Sequence, residues 1–252
     1  ASGAISGVTT LTLSDVGGTA TLSADVDVTT LTVGNTVANL AFTGDGSSVT
    51  SAVAFANDGT LTLGQSSGTQ TYNGGLTTTS VGSTVTLAGT INSSDDVMTF
   101  GAITLAATTR IDTNANFTGD TTIGAITGNN NSITLDTTTT TGRASHTLTG
   151  DINLGTGAFN VVGDVVLGAN ISITATASSG HGIRFRDKIN ADDATNNDRT
   201  LTLDSGTASS IRMDHKIGDS QPLAGLTVIQ SRNADFRNVV DVTDSSSGTI
   251  TI

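Results

Sequence analysis

The segment Leu201–Ile217 reads Leu-Thr-Leu-Asp-Ser-Gly-Thr-Ala-Ser-Ser-Ile-Arg-Met-Asp-His-Lys-Ile. It begins with an alternating triplet, continues through a polar turn at 204–209, and ends in a second alternating run. Side chains of a strand alternate between two faces, so the odd-numbered residues from Ile211 to Ile217 share one face and the even-numbered residues share the other. The segment therefore predicts a strand, a turn and a second strand with one buried face.

The apolar-Thr-apolar triplet recurs along the whole chain. Its instances are Leu11-Thr-Leu13, Leu31-Thr-Val33, Leu61-Thr-Leu63, Val85-Thr-Leu87, Ile103-Thr-Leu105, Ile133-Thr-Leu135, Leu201-Thr-Leu203, Leu226-Thr-Val228 and Ile250-Thr-Ile252. Successive instances lie 18 to 30 residues apart, except for one interval of 68 residues, in which we expect a degenerate instance near Val165-Val-Leu167. Such intervals are typical of stacked supersecondary units.

A second repeated signature places a large side chain four residues before an aliphatic one. Its instances are Tyr72 and Leu76, Phe185 and Ile189, Met213 and Ile217, and Phe236 and Val240. Around them, Gly, Asn, Asp and Ser separate about twenty candidate strands of four to seven residues.

The composition favours strands and turns over helices. The 252 residues include 49 Thr and 30 Gly, all 22 acidic residues are Asp, and Trp and Cys are absent. Thr suits a pleated surface, and Gly, Asn, Asp and Ser form turns. Hydrophobic residues make up 35% of the chain, which is more than a disordered chain would carry. Without Cys, neither disulfides nor thiolate metal sites can form.

Two all-β folds could use this pattern. A parallel β-solenoid, or β-helix, stacks strands of successive coils, whereas tandem immunoglobulin-like β-sandwiches use about seven strands for each domain of ~100 residues. The repeat interval is too short for a sandwich, and the expected core Trp is missing. We therefore predict one continuous parallel β-solenoid of roughly ten irregular coils over residues 1–252, with tandem sandwiches as the alternative.

The charge excludes some partners. The net charge of −12 argues against nucleic acid or an anionic membrane surface. No stretch approaches 18 consecutive apolar residues, so we expect no transmembrane helix. Residues 1–109 contain seven Asp and no Lys or Arg, so all ten basic residues follow from Arg110 onward.

Both ends of the sequence lie inside the repeat pattern. Neither Ala1-Ser-Gly-Ala-Ile5 nor Gly248-Thr-Ile-Thr-Ile252 has the polar or helical character of a cap. An uncapped coil exposes an unpaired strand edge, which favours end-to-end association. We therefore expect either that the chain continues on both sides in the native protein or that its ends join other copies.

Two segments carry a resemblance to known proteins. Thr60–Leu76 and Leu201–Val228 combine Leu-Thr-Leu, a Gly/Ser/Thr turn, a large side chain, and then Gly with Val or Leu. This compositional pattern covers most of the chain and resembles the long repetitive surface proteins of bacteria, namely filamentous-haemagglutinin-like and autotransporter adhesins and surface-layer or matrix β-strand repeat proteins. The resemblance implies a secreted, elongated protein at the bacterial cell surface with a structural or adhesive role. It brings no catalytic residues.

Acidic residues provide candidates for calcium binding and for catalysis. Asp25 and Asp27 lie on one face of a strand, and Asp192 and Asp193 lie together in one loop. Hard cations require several oxygen ligands. Structural calcium is therefore a hypothesis at these four residues. Paired carboxylates such as Asp95-Asp96 also serve polysaccharide-degrading β-helices as acid and base. We expect no other cofactor, because the three His residues lack metal-ligand spacing.

One stretch is locally basic in this acidic chain. Alternation places Arg184, Arg186 and Lys188 on one face, and we expect Arg212 and Lys216 on the same face of a neighbouring coil. These five cations are our candidate interface. Their partner would be an acidic patch of another copy or an anionic cell-surface glycan.

The sequence thus favours a non-enzymatic, extracellular structural protein that assembles into a surface filament, sheath or surface layer. Its partners would be other copies of itself, joined end to end or laterally. The alternatives are a cell-surface adhesin that binds a glycan or protein ligand and, third, a polysaccharide-degrading β-helix enzyme.

Overall fold

The computed structural model describes residues 1–114, 118–137, 144–192, 199–242 and 248–252. The predicted fold class is confirmed: the chain is an all-β, parallel β-solenoid of about ten coils. Its contacts group into two compact units, which are Ala1–Thr121 with Thr137–Ala144, and Thr122–Asp136 with Ser145–Ile252.

The strands of the first unit are β1 (Ile5–Leu13), β2 (Thr19–Leu22), β3 (Val26–Val33), β4 (Asn39–Phe42), β5 (Ser48–Val49), β6 (Val53–Ala54), β7 (Leu61–Leu63), β8 (Thr69–Tyr72), β9 (Leu76–Thr77), β10 (Val85–Ser93), β11 (Met98–Phe100) and β12 (Ile103–Asp112). The division between the units falls within β13 (Thr121–Ile123). The strands of the second unit are β14 (Ile126–Thr127), β15 (Ile133–Asp136), β16 (Ser145–Leu148), β17 (Ile152–Gly155), β18 (Phe159–Val162), β19 (Asp164–Leu167), β20 (Ile171–Ala175), β21 (His181–Phe185), β22 (Ile189–Ala191), β23 (Thr200–Gly206), β24 (Ser210–Met213), β25 (Gly225–Ser231), β26 (Ala234–Phe236) and β27 (Thr249–Thr251).

In the regular coils, three strands pair in parallel with the next three along the chain, whereas a long strand such as β10 pairs with both β7 and β8. In the first unit, β5, β6 and β7 pair with β8, β9 and β10. In the second unit, β18, β19 and β20 pair with β21, β22 and β23. Short strands joined by corners are what the frequent Gly, Asn and Asp predict, because these residues end strands and form turns.

The triplets stack in register, but they occupy more than one side of the coil. Leu61-Thr-Leu63 pairs with Val85-Thr-Leu87, and Leu201-Thr-Leu203 pairs with Leu226-Thr-Val228. Leu61 pairs on its other side with Leu40, however, whereas Val33 of the preceding triplet bridges Phe55. Because every side of the coil needs inward apolar residues around an outward polar one, the same triplet serves different sides.

The degenerate triplet Val165-Val-Leu167 forms a strand with buried ends, but it is not the ladder neighbour of Leu201-Thr-Leu203. Leu201-Thr-Leu203 pairs instead with Ile171-Ser-Ile173, and Val165 pairs with His146 on a different side of the coil. A Val-Val-Leu run and an Ile-Ser-Ile run both fit a strand with buried ends, so spacing alone did not distinguish them.

The signature of a large side chain and an aliphatic one marks a corner of the coil. Tyr72 ends β8 and Leu76 begins β9, and Phe185 and Ile189 do the same for β21 and β22. All four side chains are buried. The spacing of four therefore does not indicate a helical turn; it is the length of a tight corner with an inward side chain on each flank.

Side-chain oxygens at the corners tie each coil to the next. In each unit, an Asn or Asp oxygen accepts a hydrogen bond at 2.8–3.0 Å from a backbone N–H that lies 21 to 30 residues further along the chain. The pairs, acceptor first, are Asn39 with Thr60, Asp45 with Thr69, Asp151 with Ser172, Asn170 with Thr200, and Asn190 with Ser220. These acceptors satisfy amides that the strand ladders leave unpaired at a corner.

The only tyrosine anchors a polar contact inside the first unit. The Tyr72 hydroxyl donates to Gln70 Oε1 at 3.0 Å, and Gln70 Nε2 donates to the carbonyl oxygens of Phe42 and Gly44. The Tyr72 ring makes edge contacts with Phe42 and Phe55, at centroid distances of 6.4 and 6.0 Å. Burial raises the pKa of Tyr72 far above its ordinary value of 10.0.

We predict that Asn39→Ala lowers the free energy of unfolding by about 1 kcal/mol, because Thr60 loses its acceptor. Asn39→Asp keeps an acceptor oxygen at the same place and is the matched control, with a much smaller expected effect. Chemical denaturation followed by circular dichroism measures both variants. Equal losses for the two variants would contradict the role assigned to the oxygen.

We also predict that the phenolate absorbance of Tyr72 develops only when the protein unfolds. Since the folded pKa lies above the unfolded value of 10.0, the unfolded state loses its proton first, and stability falls as the pH rises through about 10. Spectrophotometric titration and circular dichroism on the same samples measure ionisation and unfolding together. Ionisation near pH 10 in a folded sample would show that the hydroxyl is not buried.

Candidate functional site

The second unit positions the basic residues that the sequence singled out. Arg184 on β21 pairs in register with Arg212 on β24, so the expected stacking of these two cations is confirmed. The same outward column continues to Asn160 on β18 and to Asp235 on β26. Alternation puts these side chains outside because their neighbours, such as Ile183, fill the core.

Asp214, directly after β24, binds both arginines. Arg184 donates from Nε and Nη2 to Oδ2 at 3.0 and 2.7 Å, and Arg212 donates from Nε to Oδ1 at 2.5 Å. Partial burial raises the pKa of Asp214, but hydrogen bonds from Arg212 and Arg184 outweigh that effect and hold the pKa below its ordinary value. Asp214 therefore links two successive coils.

Two further charged residues join this network. Arg237 Nε donates to Asp235 Oδ2 at 2.7 Å, and Arg237 Nη1 lies 3.8 Å from Asp214 Oδ1. His181, at the start of β21, lies near the arginines; partial burial and the charges of Arg184 and Arg212 lower its pKa. The imidazole is therefore mostly neutral at pH 7.

A second carboxylate, that of Asp219, contacts both lysines. Lys188 and Lys216 directly precede Ile189 and Ile217, which bridge each other, so the lysines lie at matching positions of successive coils. Lys188 Nζ lies 2.5 Å from Asp219 Oδ2, and Lys216 Nζ donates to Oδ1 at 2.6 Å. These two contacts lower the pKa of Asp219 to about 2.

Arg186 differs from the other four candidate cations. It is exposed, and its contact is a long one of 3.5 Å from Nε to Asn160 Oδ1. Among the described residues it has no carboxylate partner, whereas Arg184 and Arg212 share Asp214 and the lysines share Asp219. Four of the five candidate cations thus contact a carboxylate within the unit, two to each aspartate, and Arg186 presents its charge to solvent.

The four candidate calcium ligands lie in different surroundings. Asp25 precedes β3, and Asp27 lies on it with an exposed side chain. Asp192 accepts two hydrogen bonds from Arg199, at 2.8 and 3.0 Å, and Asp193 lies outside the described residues. In the described ranges, no three His, Cys, Asp or Glu side chains lie together as a metal site would require. Structural calcium stays a prediction.

The Asp95-Asp96 pair divides between two environments. Asp95 adopts a positive φ of 69°, and its Oδ1 accepts hydrogen bonds from the backbone N–H groups of Thr118 and Gly119 at 3.1 and 3.2 Å. Asp96 is exposed. Asp95 is therefore a corner acceptor of the kind described above.

Sequence reasoning did not select Asp219, Asp235, Arg199 or Arg237. A signal for Asp219 exists in the aligned runs Asp187-Lys-Ile189 and His215-Lys-Ile217, because two stacked lysines require a nearby anion. That signal does not identify which aspartate approaches, since Asp219 comes from the corner after the paired positions.

The chain matches no protein family model, no curated protein and no solved structure. In the part of the chain that the structure describes, no helix is long and apolar enough to span a bilayer.

We predict that the carboxyl group of Asp219 titrates near pH 2 in the folded protein. In the double variant Lys188→Gln, Lys216→Gln, the pKa should rise toward the ordinary value of 3.8, because both charged donors are gone. NMR titration of the side-chain carboxyl carbon measures this. Arg186→Gln is the control that leaves Asp219 unchanged, and an unaltered pKa in the double variant would contradict the assignment.

The contacts of Asp219 with the two lysines also make the stability of the fold depend on pH. Because the folded pKa of Asp219 lies below the unfolded value, the lysines stabilise the fold above about pH 4, and that contribution is lost as the pH falls toward 2. The double variant should therefore lose less stability than the parent over this interval.

Proposed function

We propose that this chain is a non-enzymatic, extracellular structural protein, and that it forms part of a self-assembling filament, sheath or layer at a bacterial cell surface. The observation that carries the proposal is the stacking of like strands in parallel ladders, such as Leu61-Thr-Leu63 on Val85-Thr-Leu87, because a ladder of this kind accepts further strands of the same pattern. Within the described residues, no strand other than β3 pairs with β1, and we call the edge of β1 that faces away from β3 its open edge. Open strand edges of this kind accept a further strand.

A comparison of β1 with β3 supports this role. Val8, Leu11 and Leu13 of β1 pair with Val28, Leu31 and Val33 of β3, and the two sequences are nearly the same. The three β3 side chains are no more than 5% exposed, whereas Val8 is 46% exposed and both leucines are only half-buried. A short strand added beside Thr10–Leu13 would cover the two leucines and leave Val8 outside the new pairing, and this burial of apolar surface favours association.

A strand of matching pattern lies in the second unit. β27 pairs with β25, and every residue of β27 is exposed. Ile250 is 46% exposed, although its partner Leu226 is 1% exposed. Thr249-Ile-Thr-Ile252 has the same alternation as Thr10-Leu-Thr-Leu13. We propose that β27 of one copy extends the ladder of β1 in another, with like residues stacked.

We predict that Thr12→Pro abolishes association of the purified protein. Gly34 N donates to Leu13 O, and successive residues direct their amides to opposite edges, so the Thr12 N–H faces the open edge. Proline removes that donor and obstructs the approach of a strand. Thr12→Val keeps the N–H and is the matched control.

Sedimentation velocity and negative-stain electron microscopy at rising protein concentration measure the outcome. The parent and Thr12→Val should form oligomers or filaments, and Thr12→Pro should stay monomeric. A parent protein that is monomeric at every salt and calcium concentration would rule out the proposed assembly.

A further inference from the structure

A cleft of about 300 Å³ opens at the surface of the first unit. Its lining residues are Val8, Asp27, Val28, Thr29, Ser48 and Thr50. The cleft therefore offers one carboxylate, three hydroxyl groups and an exposed valine side chain.

The register of the strands builds this cleft. Asp27 on β3 pairs with Ser48 on β5, so the carboxylate and a hydroxyl group lie side by side on adjacent strands. On the other side, the pairing of β1 with β3 shifts between Ile5 and Val8, near Gly7 at a φ of 73°. Val8 lines the cleft and is 46% exposed, while its partner Val28 is 5% exposed.

The chemistry of the cleft fits a cationic side chain with an apolar stem. Asp27, Thr29 and Thr50 are exposed oxygen acceptors, and Ser48 Oγ already accepts a bond of 3.3 Å from Asn73 Nδ2. Arginine supplies five N–H donors and a methylene stem that packs on an aliphatic wall. Residues 1–109, which build the cleft, contain no Lys or Arg, so no neighbouring sequence supplies the cation.

Arg186 is the cation that remains for this cleft. Among the described Lys and Arg residues, Arg186 and Arg232 have no carboxylate partner, and Arg232 donates from Nη2 to Ser210 Oγ at 3.2 Å. Arg186 has only its 3.5 Å contact with Asn160 and is exposed. Of the described arginines, Arg186 therefore has the weakest contact within its own chain to give up when it binds elsewhere.

We infer that Arg186 of one copy enters the cleft at Asp27 of another copy. This inference rests on the assembly proposed above, and it names a lateral contact in addition to the ladder of β1. The surface that gives Arg186 differs from the surface that receives it, so the contact is heterologous. A heterologous contact repeats from copy to copy and builds open filaments when it does not close into a ring.

Charge exchange between two variants tests this contact. Asp27→Arg and Arg186→Asp should each weaken association by roughly tenfold or more at low salt, because each places like charges together. In an equimolar mixture of the two variants, every contact between unlike copies regains opposite charges, so association should return. Sedimentation velocity on each variant and on the mixture measures the effect, and circular dichroism shows that each variant is folded.

Matched controls are available elsewhere on the surface. Asp58→Asn changes an exposed acid outside the cleft, and Arg232→Gln removes the other cation without a carboxylate partner. Both should associate as the parent does. Raising the salt concentration should weaken the association of the parent protein, because salt screens exposed ion pairs.

The outcomes separate the two proposals. If the parent associates and both charge variants associate equally well, the contact at Asp27 is wrong and the assembly through β1 stands. If the parent never associates, both proposals fail. If Arg186→Asp loses binding to dextran sulfate while Asp27→Arg associates normally, the arginine serves an anionic glycan, and the contact between copies is overturned.

Discussion

The fold depends on hydrogen bonds from the backbone of one coil to a side-chain oxygen of the previous coil at a corner. Strand ladders pair the amides along each side, but at a corner the chain turns and the ladder stops. Asn39, Asp151 and Asn170 supply the missing acceptors. An Asx side chain is short enough to hold its oxygen close to the backbone, which is consistent with 22 Asp and no Glu in this chain. The charges of Asp45, Asp95 and Asp151 are thus a consequence of how the corners are built.

The two ionic networks of the second unit also join successive coils through side chains, here through charged groups. Asp214 joins Arg184 to Arg212, and Asp219 joins Lys188 to Lys216, so in each network one acid holds two bases from successive coils. Such a network engages its bases within the fold, although two bases to one acid leave it with a net positive charge. Specific contact with another molecule then depends on the few groups that have no partner within the fold.

The periodic parts of the fold were predictable from the sequence, and the corners were not. A triplet such as Leu61-Thr-Leu63 identifies a strand with buried ends, and its spacing gives the length of a coil. It does not say which of three sides it occupies, because inward packing demands the same pattern on each. Arg184 and Arg212 were placed correctly because paired strands carry them, whereas Asp219 was missed because it lies on a corner, where no period constrains position.

The separation of corners from ladders lets the coils differ in length without losing their stacking. Val85 pairs with Ile103 after 18 residues, and Ile171 pairs with Leu201 after 30 residues, yet both pairs lie in regular parallel ladders. Coils of unequal length therefore stack through the same kind of ladder, and a longer connection adds little to the entropic cost of closing a coil. The solenoid is in this respect a display scaffold: its surface can acquire new loops, and new recognition properties, while the packed interior stays the same.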